Sequence, residues 1–243
     1  MKNAKILLLP LLLMSITITG QNTKEAIQNT AQIVQGKKNL ERDIKELKAI
    51  QIKMVSFNKA FDIKDETKTN DIKRDIISDI IREVKQSEEK AKQARREIAQ
   101  SSAEIRSDRA EIRRNRDDSD RGRYDRQDDQ RDMARDQINK NDDKRDRRDD
   151  IGDLKLQITV LERQAHILET LKTFNFSFNS NQLEKSVVNK KLLKEFIDTL
   201  QQDIEITKRE LAEDNRERKE DRRERRDDRT ERQEYNTVKK RRW

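Results

Sequence analysis

The side chains that most often carry enzyme chemistry are scarce in this sequence. The 243 residues include one histidine, His166, and no cysteine. A zinc-type metal centre needs several His or Cys ligands, and His166 has no other His or Cys to join it. Because His166 follows Ala165, which belongs to an apolar helical seam, we interpret it as a residue flanking that seam. We therefore predict no metal ion and no cofactor.

Carboxylates are abundant, and they could serve as calcium ligands or as paired acids and bases. Between Asp117 and Asp128, Gly122 takes the sixth position and an acid the twelfth, as in calcium-binding loops. However, the third position is Ser119 and the fifth is Arg121, a cation where a ligand oxygen belongs. We expect the other Asp and Glu side chains, which stand among arginines, to be solvated with ordinary pKa values. Since no Ser/His/Asp set or Gly-rich phosphate loop occurs either, we predict that the chain is not an enzyme and has no small-molecule substrate.

The composition excludes a compact globular domain. Charged residues make up 44% of the chain and aromatic residues 4%, and the only proline is Pro10. So few apolar side chains cannot supply the buried area that a compact domain of this length requires. No proline after residue 10 interrupts a long helix. The composition therefore predicts either long, extended helices or a disordered chain.

The distribution of charge bears on anionic partners. The formal net charge is +8, but residues 106–150 hold 15 basic and 15 acidic side chains, and residues 212–234 hold nine and ten. A nucleic-acid-binding chain would concentrate Lys and Arg without matching carboxylates, so we do not expect that partner. The one unbalanced basic cluster ends in an aromatic residue and consists of Lys239, Lys240, Arg241, Arg242 and Trp243. It could dock on an anionic surface, or it is a frayed, soluble end.

The N-terminal residues have the pattern of a secretory signal peptide. Lys2 and Lys5 precede an uncharged, mostly apolar run of 14 residues, Ile6 to Thr19, and the small residue Gly20 follows. Such a run makes about 21 Å of helix, short of the ~30 Å that crosses a bilayer. We predict a signal peptide over residues 1–20, with an uncleaved membrane anchor as the alternative. Export to the periplasm or the extracellular space follows, and the lack of cysteine excludes a lipoprotein.

Apolar residues recur at intervals of three and four over four stretches, as they do in coiled-coil helices. The predicted helices cover about 24–61, 71–112, 151–172 and 183–211. The seam residues that would pair them are Leu40, Ile44, Leu47, Met54, Ile77, Val84, Ile98, Ile105, Leu154, Ile158, Leu161, Leu168, Leu200, Ile204 and Leu211. Polar connectors favour antiparallel hairpins. The predicted fold class is all-α, with long antiparallel helical hairpins or coiled coil and charged Arg/Asp-rich extensions.

The predicted domain organisation places two hairpins between charged segments. The segments are a signal peptide (1–20), a first coiled-coil hairpin (21–112), a charge-balanced Arg/Asp-rich segment that is helical or disordered (113–150), a second hairpin (151–211) and a charged helical tail (212–243). The two hairpins can pack together as a four-helix bundle, or each can pair with a second copy of the chain.

The order of seams and charged segments indicates a tandem duplication of one hairpin. Three seam residues from Leu40 overlay three from Leu154 at an offset of 114, and Asp117-Asp118 overlays Asp227-Asp228 at 110. Coiled-coil composition also produces such matches by chance, and that interpretation stays open.

The connector between the third and fourth predicted helices contains three phenylalanines. Phe174, Phe176 and Phe178 alternate with polar residues. They could form a short strand or an exposed, sticky tip. We favour a third interpretation, in which the rings cap the last layer of the core.

These features together predict an exported, non-enzymatic scaffold or spacer in a cell envelope. Its partners would be other proteins, copies of this chain among them, and the membrane only through an uncleaved signal segment. One alternative is a periplasmic client-holding chaperone, which the helical arms of mixed charge resemble in composition. The other is a binder of an anionic envelope polymer or nucleic acid through Lys239–Trp243.

Overall fold

The computed structural model describes residues 8–119 and 126–241, and over these ranges it is helical apart from two connectors and contains no strand. Side chains are described from Thr30 onward, apart from positions between residues 104 and 136 and between residues 221 and 243. The four helices, which pack against each other, are α1 (Leu8–Asp62), α2 (Glu66–Ser119), α3 (Arg126–Thr173) and α4 (Leu183–Arg241). The prediction of an all-α chain is confirmed.

The chain divides into two compact units. One spans Asp43–Ile206, and the other combines α1 up to Arg42 with α4 from Thr207. We refer to them as the central unit and the terminal unit. The central unit therefore contains the second part of α1, all of α2 and α3, and the first part of α4.

The connector between α1 and α2 is three residues long, because both helix ends are capped tightly. The N–H of Asp65 donates to the carbonyl of Ala60 and the N–H of Lys64 to that of Phe61, each at 3.0 Å, with Lys64 at φ 59°. These two backbone hydrogen bonds, together with a residue in the left-handed conformation, form a Schellman motif. Asp65 then caps α2, since its Oδ1 accepts from the N–H of Lys68 at 3.0 Å. As a result, α2 begins at Glu66, five residues before the helix start that the apolar periodicity predicts.

Polar pairs across the helix surfaces of the central unit show which helices are neighbours. α1 pairs with α2, α2 with α3, α3 with α4, and α4 with α1. The pairs are Lys53–Asp79 at 2.6 Å, Ser87–Gln164 at 3.1 Å, Arg163–Glu195 at 2.6 Å and Lys190–Asp62 at 3.2 Å. The four helices therefore surround a common core.

That core is one apolar cluster to which all four helices contribute. Its buried members are Ile50, Met54, Phe57, Phe61, Ile76, Ile77, Ile80, Ile167, Leu171, Phe176, Leu193, Phe196 and Leu200. Burying a large apolar side chain stabilises a fold by about 1.5–3 kcal/mol, so these residues are the main source of stability in the central unit.

The segment between α3 and α4 covers the end of the core with aromatic rings. Phe176 is fully buried, and its ring lies 5.0 Å from Phe57 and 5.1 Å from Phe174 in edge-to-face contacts. Phe178 packs in the same way on Phe61, at 5.1 Å. The prediction that these phenylalanines cap the core is confirmed.

The backbone of this aromatic segment is held by side chains of α2 and α4. Asn70 donates through Nδ2 to the carbonyl of Phe176 and accepts through Oδ1 from its N–H, each at 2.8 Å. Lys73 Nζ donates to the carbonyl of Phe174 at 2.7 Å, and Ser186 Oγ to that of Ser177 at 2.8 Å. The segment is thus bonded to the helices although it forms no regular structure.

Replacing Asn70 with alanine is expected to lower the free energy of unfolding by about 1–3 kcal/mol, because the N–H and C=O of the buried Phe176 lose their partner. Urea denaturation followed by far-UV circular dichroism measures the loss. Thr67→Ala, on an exposed position of the same helix, is the matched control, with an expected change within about 0.5 kcal/mol. Equal changes in the two variants would contradict this role of Asn70.

The terminal unit brings α1 and α4 together around small and apolar residues. Ile33, Thr207 and Leu211 are buried, and a Cβ atom placed on Gly36 would lie 2.8 Å from Cδ2 of Leu211. Gly36 therefore allows α1 and α4 to approach more closely than any larger residue would without a shift of Leu211.

The charged segments are helical wherever the structure describes them. α2 continues to Ser119, α3 begins at Arg126 and α4 continues to Arg241. Within α3, Arg145 pairs with Asp142 at 3.1 Å and Asp146 at 3.6 Å. A pair three residues apart, such as Asp142–Arg145, adds a few tenths of a kcal/mol, which helps to offset the poor helix propensity of Asp. Within residues 8–119 and 126–241, no helix has both the length and the apolar character needed to cross a membrane.

Candidate functional site

The central unit also contains charged side chains inside the bundle. Several of them lie on the face of α2 that is turned toward the other helices. The buried positions along this face are spaced by three and four residues and comprise Thr69, Lys73, Ile76, Ile80, Glu83 and Ser87. Four of these six positions are polar. We use the name buried ionic layer for Glu83 together with Asp43, Lys90 and Asp203.

Lys90 joins three helices within the buried ionic layer. Its Nζ donates to Oδ2 of Asp43 on α1 at 2.7 Å and also to Oδ2 of Asp203 on α4. The Lys90 side chain is 10% exposed and each aspartate 3%. Burial lowers the pKa of Lys90, but the charges and hydrogen bonds of Asp203 and Asp43 outweigh burial and raise it above its ordinary value. Lys90 is therefore an ammonium that links α1 and α4 to α2.

Glu83 is the third carboxyl group of the layer and differs from the two aspartates. It is 2% exposed, and its Oε1 has no hydrogen-bond partner. Burial raises the pKa of Glu83 to about 8, with further increases from Asp203, Asp43 and Glu46 and a decrease from Lys90. Neutral pH lies below this pKa, so the protonated, uncharged form of Glu83 predominates there.

α3 contributes an uncharged side chain next to the layer. Gln164 is fully buried and accepts a hydrogen bond through Oε1 from Ser87 Oγ at 3.1 Å, one turn from Glu83 along α2. Its Nε2 has no hydrogen-bond partner. Unpaired buried polar atoms cost free energy, so the polar positions here weaken the bundle while they specify which helix faces meet.

A second group of charges lies at the edge of the bundle and is partly solvated. Asp79 binds both Lys53 and Arg82, and Arg82 also binds Glu46 at 3.0 Å. Between α3 and α4, the hydrogen bond from Arg163 lowers the pKa of Glu195. Exposed pairs of this kind contribute little to stability and serve mainly to align neighbouring helices.

The chemistry open to the buried ionic layer is narrow. Because its carboxyl groups are 2–3% exposed and its ammonium 10%, a substrate reaches them only if the helices separate. Among the described residues, no three His, Asp or Glu side chains are arranged to hold a metal ion. The layer can bind a proton, and its hydrogen-bonded charges link three helices.

The 15 seam residues that the sequence predicts are all buried or partly buried. Six are buried: Met54, Ile77, Ile105, Leu200, Ile204 and Leu211. The other nine are partly buried: Leu40, Ile44, Leu47, Val84, Ile98, Leu154, Ile158, Leu161 and Leu168. His166 is exposed, in keeping with a flanking position.

Other predicted sites fall on residues that the structure does not describe. Arg242 and Trp243 lie outside the described residues, as do the side chains of Lys239, Lys240 and Arg241. Residues 120–125 of the calcium-like sequence also lie outside them.

The expectation that every carboxylate is solvated, with an ordinary pKa, is wrong for Glu83. The expectation rested on the many neighbouring charged residues in the sequence, but the helix turns Glu83 away from them and into the core. A signal for this was present, because Glu83 and Ser87 follow Ile76 and Ile80 at intervals of three and four. Asp43 and Asp203 are buried as well. The same signal was present for them, because Asp43 stands between Leu40 and Leu47, and Asp203 between Leu200 and Thr207, at intervals of three and four.

The fold and the buried ionic layer define an all-helical bundle protein with an internal ionic network. Comparison of the chain with protein-family models, with curated proteins and with solved structures gave no significant match. Function therefore has to be argued from the residues themselves.

Proposed function

We propose that this chain is an exported, non-enzymatic scaffold of a cell envelope. The observation that carries the proposal is that α2 and α3 remain helical well beyond the apolar core, over 106–119 and 126–150. We name these two segments the charged extensions. A long helix with both signs of charge and exposed side chains such as Arg109 and Arg148 presents many polar contacts, which suits reversible protein–protein contact better than catalysis.

The absence of catalysis is part of the proposal, and the burial of the ionic layer supports it. General acids and bases must come within hydrogen-bond distance of a substrate. Glu83, whose raised pKa would suit such a role, is 2% exposed and faces the interior of the bundle. We infer that its protonation serves the fold rather than a reaction.

We further propose that the helices pair as two antiparallel coiled-coil hairpins produced by a tandem duplication. In support, ion pairs connect α1 with α2 and α3 with α4, with residue numbers running in opposite directions between α1 and α2 (Lys53 with Asp79, Glu46 with Arg82). The buried or half-buried state of the seam residues is what coiled-coil packing requires.

The signal-peptide pattern of residues 1–20 supports export of the chain. Expressed in a Gram-negative host, the full chain is expected in the periplasmic fraction with Gln21 as its first residue, as determined by N-terminal sequencing. Leu12→Arg, which places a charge inside the apolar run, should retain the chain in the cytoplasm. The matched control is Leu12→Val. An unprocessed cytoplasmic product from the natural sequence would refute export.

Partner contact through the charged extensions can be tested by site-specific photo-cross-linking in the envelope. A photoreactive amino acid at Arg109 or Arg148, which are exposed on α2 and α3, is expected to give discrete protein adducts. The same residue at Gln51, exposed on α1 beside the core, is the control and should give none. Adducts at Gln51 alone, or at none of the three positions, would reject the charged extensions as the contact surface.

A further inference from the structure

The buried ionic layer brings three acidic side chains and one cation together inside the bundle. Asp43, Glu83 and Asp203 come from α1, α2 and α4, and each is 2–3% exposed. Lys90 is bonded to both aspartates. With all four groups ionised, the layer would carry a net charge of −2 away from water; one proton on a carboxyl reduces it to −1. Like charges in a dry site strongly disfavour full ionisation, whichever acid takes the proton.

The charged groups that act on Glu83 come from α1, α2 and α4. α1 presents Asp43 and also Glu46, whose charge is shared with Arg82 on the surface. α4 presents Asp203, and α2 itself presents Lys90. α3 presents an amide, Gln164, through its bond with Ser87. Of the charged groups that act most strongly on Glu83, only Lys90 favours ionisation, and its ammonium is already bonded to two other carboxylates.

We propose that the buried ionic layer is a proton-dependent latch: α1 and α4 stay bound to α2 at Lys90 while one of the three carboxyl groups carries a proton, and the helices separate locally when that proton is lost. The acid that carries it is Glu83, because its Oε1 lacks a hydrogen-bond donor that would stabilise the anion. Each of the two aspartates, in contrast, accepts a hydrogen bond from Lys90.

The dependence on pH has a definite sign. The pKa of Glu83 is about 8 in the folded chain, against 4.5 for an ordinary glutamate. A group whose pKa is raised by folding favours the folded state fully below its unfolded pKa, and this advantage is lost as pH rises toward the folded pKa. The latch is therefore strongest below about pH 4.5, weakens as pH rises from there to about 8 and is weakest above that value, opposite to the behaviour of a salt-bridged carboxylate.

Spin labels can report the opening directly, because the chain has no cysteine of its own. Ala49→Cys and Lys85→Cys place labels on exposed positions of α1 and α2 near the layer. The label-to-label distance distribution should be narrow at about pH 6 and clearly broader at about pH 10, two units on either side of the pKa of Glu83.

Two variants decide whether Glu83 is responsible. Glu83→Gln cannot ionise, so its distribution should stay narrow at both pH values, while Glu88→Gln, on an exposed position of α2, should behave as the unsubstituted chain. Asp203→Asn should also abolish the broadening, since the layer then reaches only −1 when Glu83 ionises. The latch is rejected if the unsubstituted chain gives the same distribution at both pH values, or if the broadening persists in Glu83→Gln.

Discussion

Lys90→Met is expected to lower the free energy of unfolding by about 3–5 kcal/mol, the usual cost of removing one partner from a buried ion pair. Methionine nearly preserves the volume of the side chain, so the loss reflects charge rather than packing. Asp43 and Asp203, each 3% exposed, would be left without the ammonium that compensates them. Urea denaturation of the full chain, followed by far-UV circular dichroism, measures the effect.

A control and a rescue test the electrostatic origin of this loss. Lys92→Met removes an ammonium from an exposed pair with Glu89 on the same helix, and should change stability by no more than about 0.5 kcal/mol. Adding Asp43→Asn and Asp203→Asn to Lys90→Met should recover much of the lost stability, because the two buried groups that Lys90 compensates are then uncharged. If the triple variant were no more stable than Lys90→Met, packing rather than charge would account for the loss.

Phe57→Ala is expected to cost about 3–5 kcal/mol, since it leaves a cavity in the centre of the aromatic end of the core. Phe57 is fully buried and contacts Phe61 and Phe176, with ring centroids 6.0 and 5.0 Å away. The loss should appear as a lower urea midpoint with an unchanged slope, because the surface exposed on unfolding stays nearly the same.

The matched control for Phe57 is Val55, two residues away on the outer face of α1 and 70% exposed. Val55→Ala should alter the free energy of unfolding by about 0.5 kcal/mol or less. Phe57→Leu, which fills part of the cavity, should lie between the two. Similar values for Phe57→Ala and Val55→Ala would mean that the aromatic end does not stabilise the central unit.

The helical character of the chain could be predicted because it depends on local properties. Proline is absent after Pro10, apolar residues recur at intervals of three and four, and opposite charges stand close together in the charged segments. Each of these acts within about one or two helical turns. For the same reason the predicted seam residues are buried or half-buried without exception.

Helix ends were less predictable, because capping side chains rather than apolar periodicity define them. Asp65 begins α2 at Glu66, where the sequence is still polar. Lys64 adopts the left-handed conformation that ends α1, a role usually filled by glycine. The polar residues from Glu66 to Asn70 therefore form a helical turn, and Asn70 binds the aromatic segment.

The sequence by itself determined that this protein consists of long helices with apolar stripes and balanced charge, since these properties depend on near neighbours along the chain. Only the tertiary structure decided which side of each stripe meets the other helices. In α2 the adjacent pairs Ile76-Ile77 and Ile80-Ile81 allow more than one rotation about the helix axis, and packing buries Ile80 while Ile81 remains 47% exposed. That rotation carries Glu83 and Ser87 inward, and the phase of α1 and α4 brings Asp43 and Asp203 to Lys90. Lys90 lies 47 positions from Asp43 and 113 from Asp203, so the network depends on how distant helices pack together, and no single stretch of sequence contains that information.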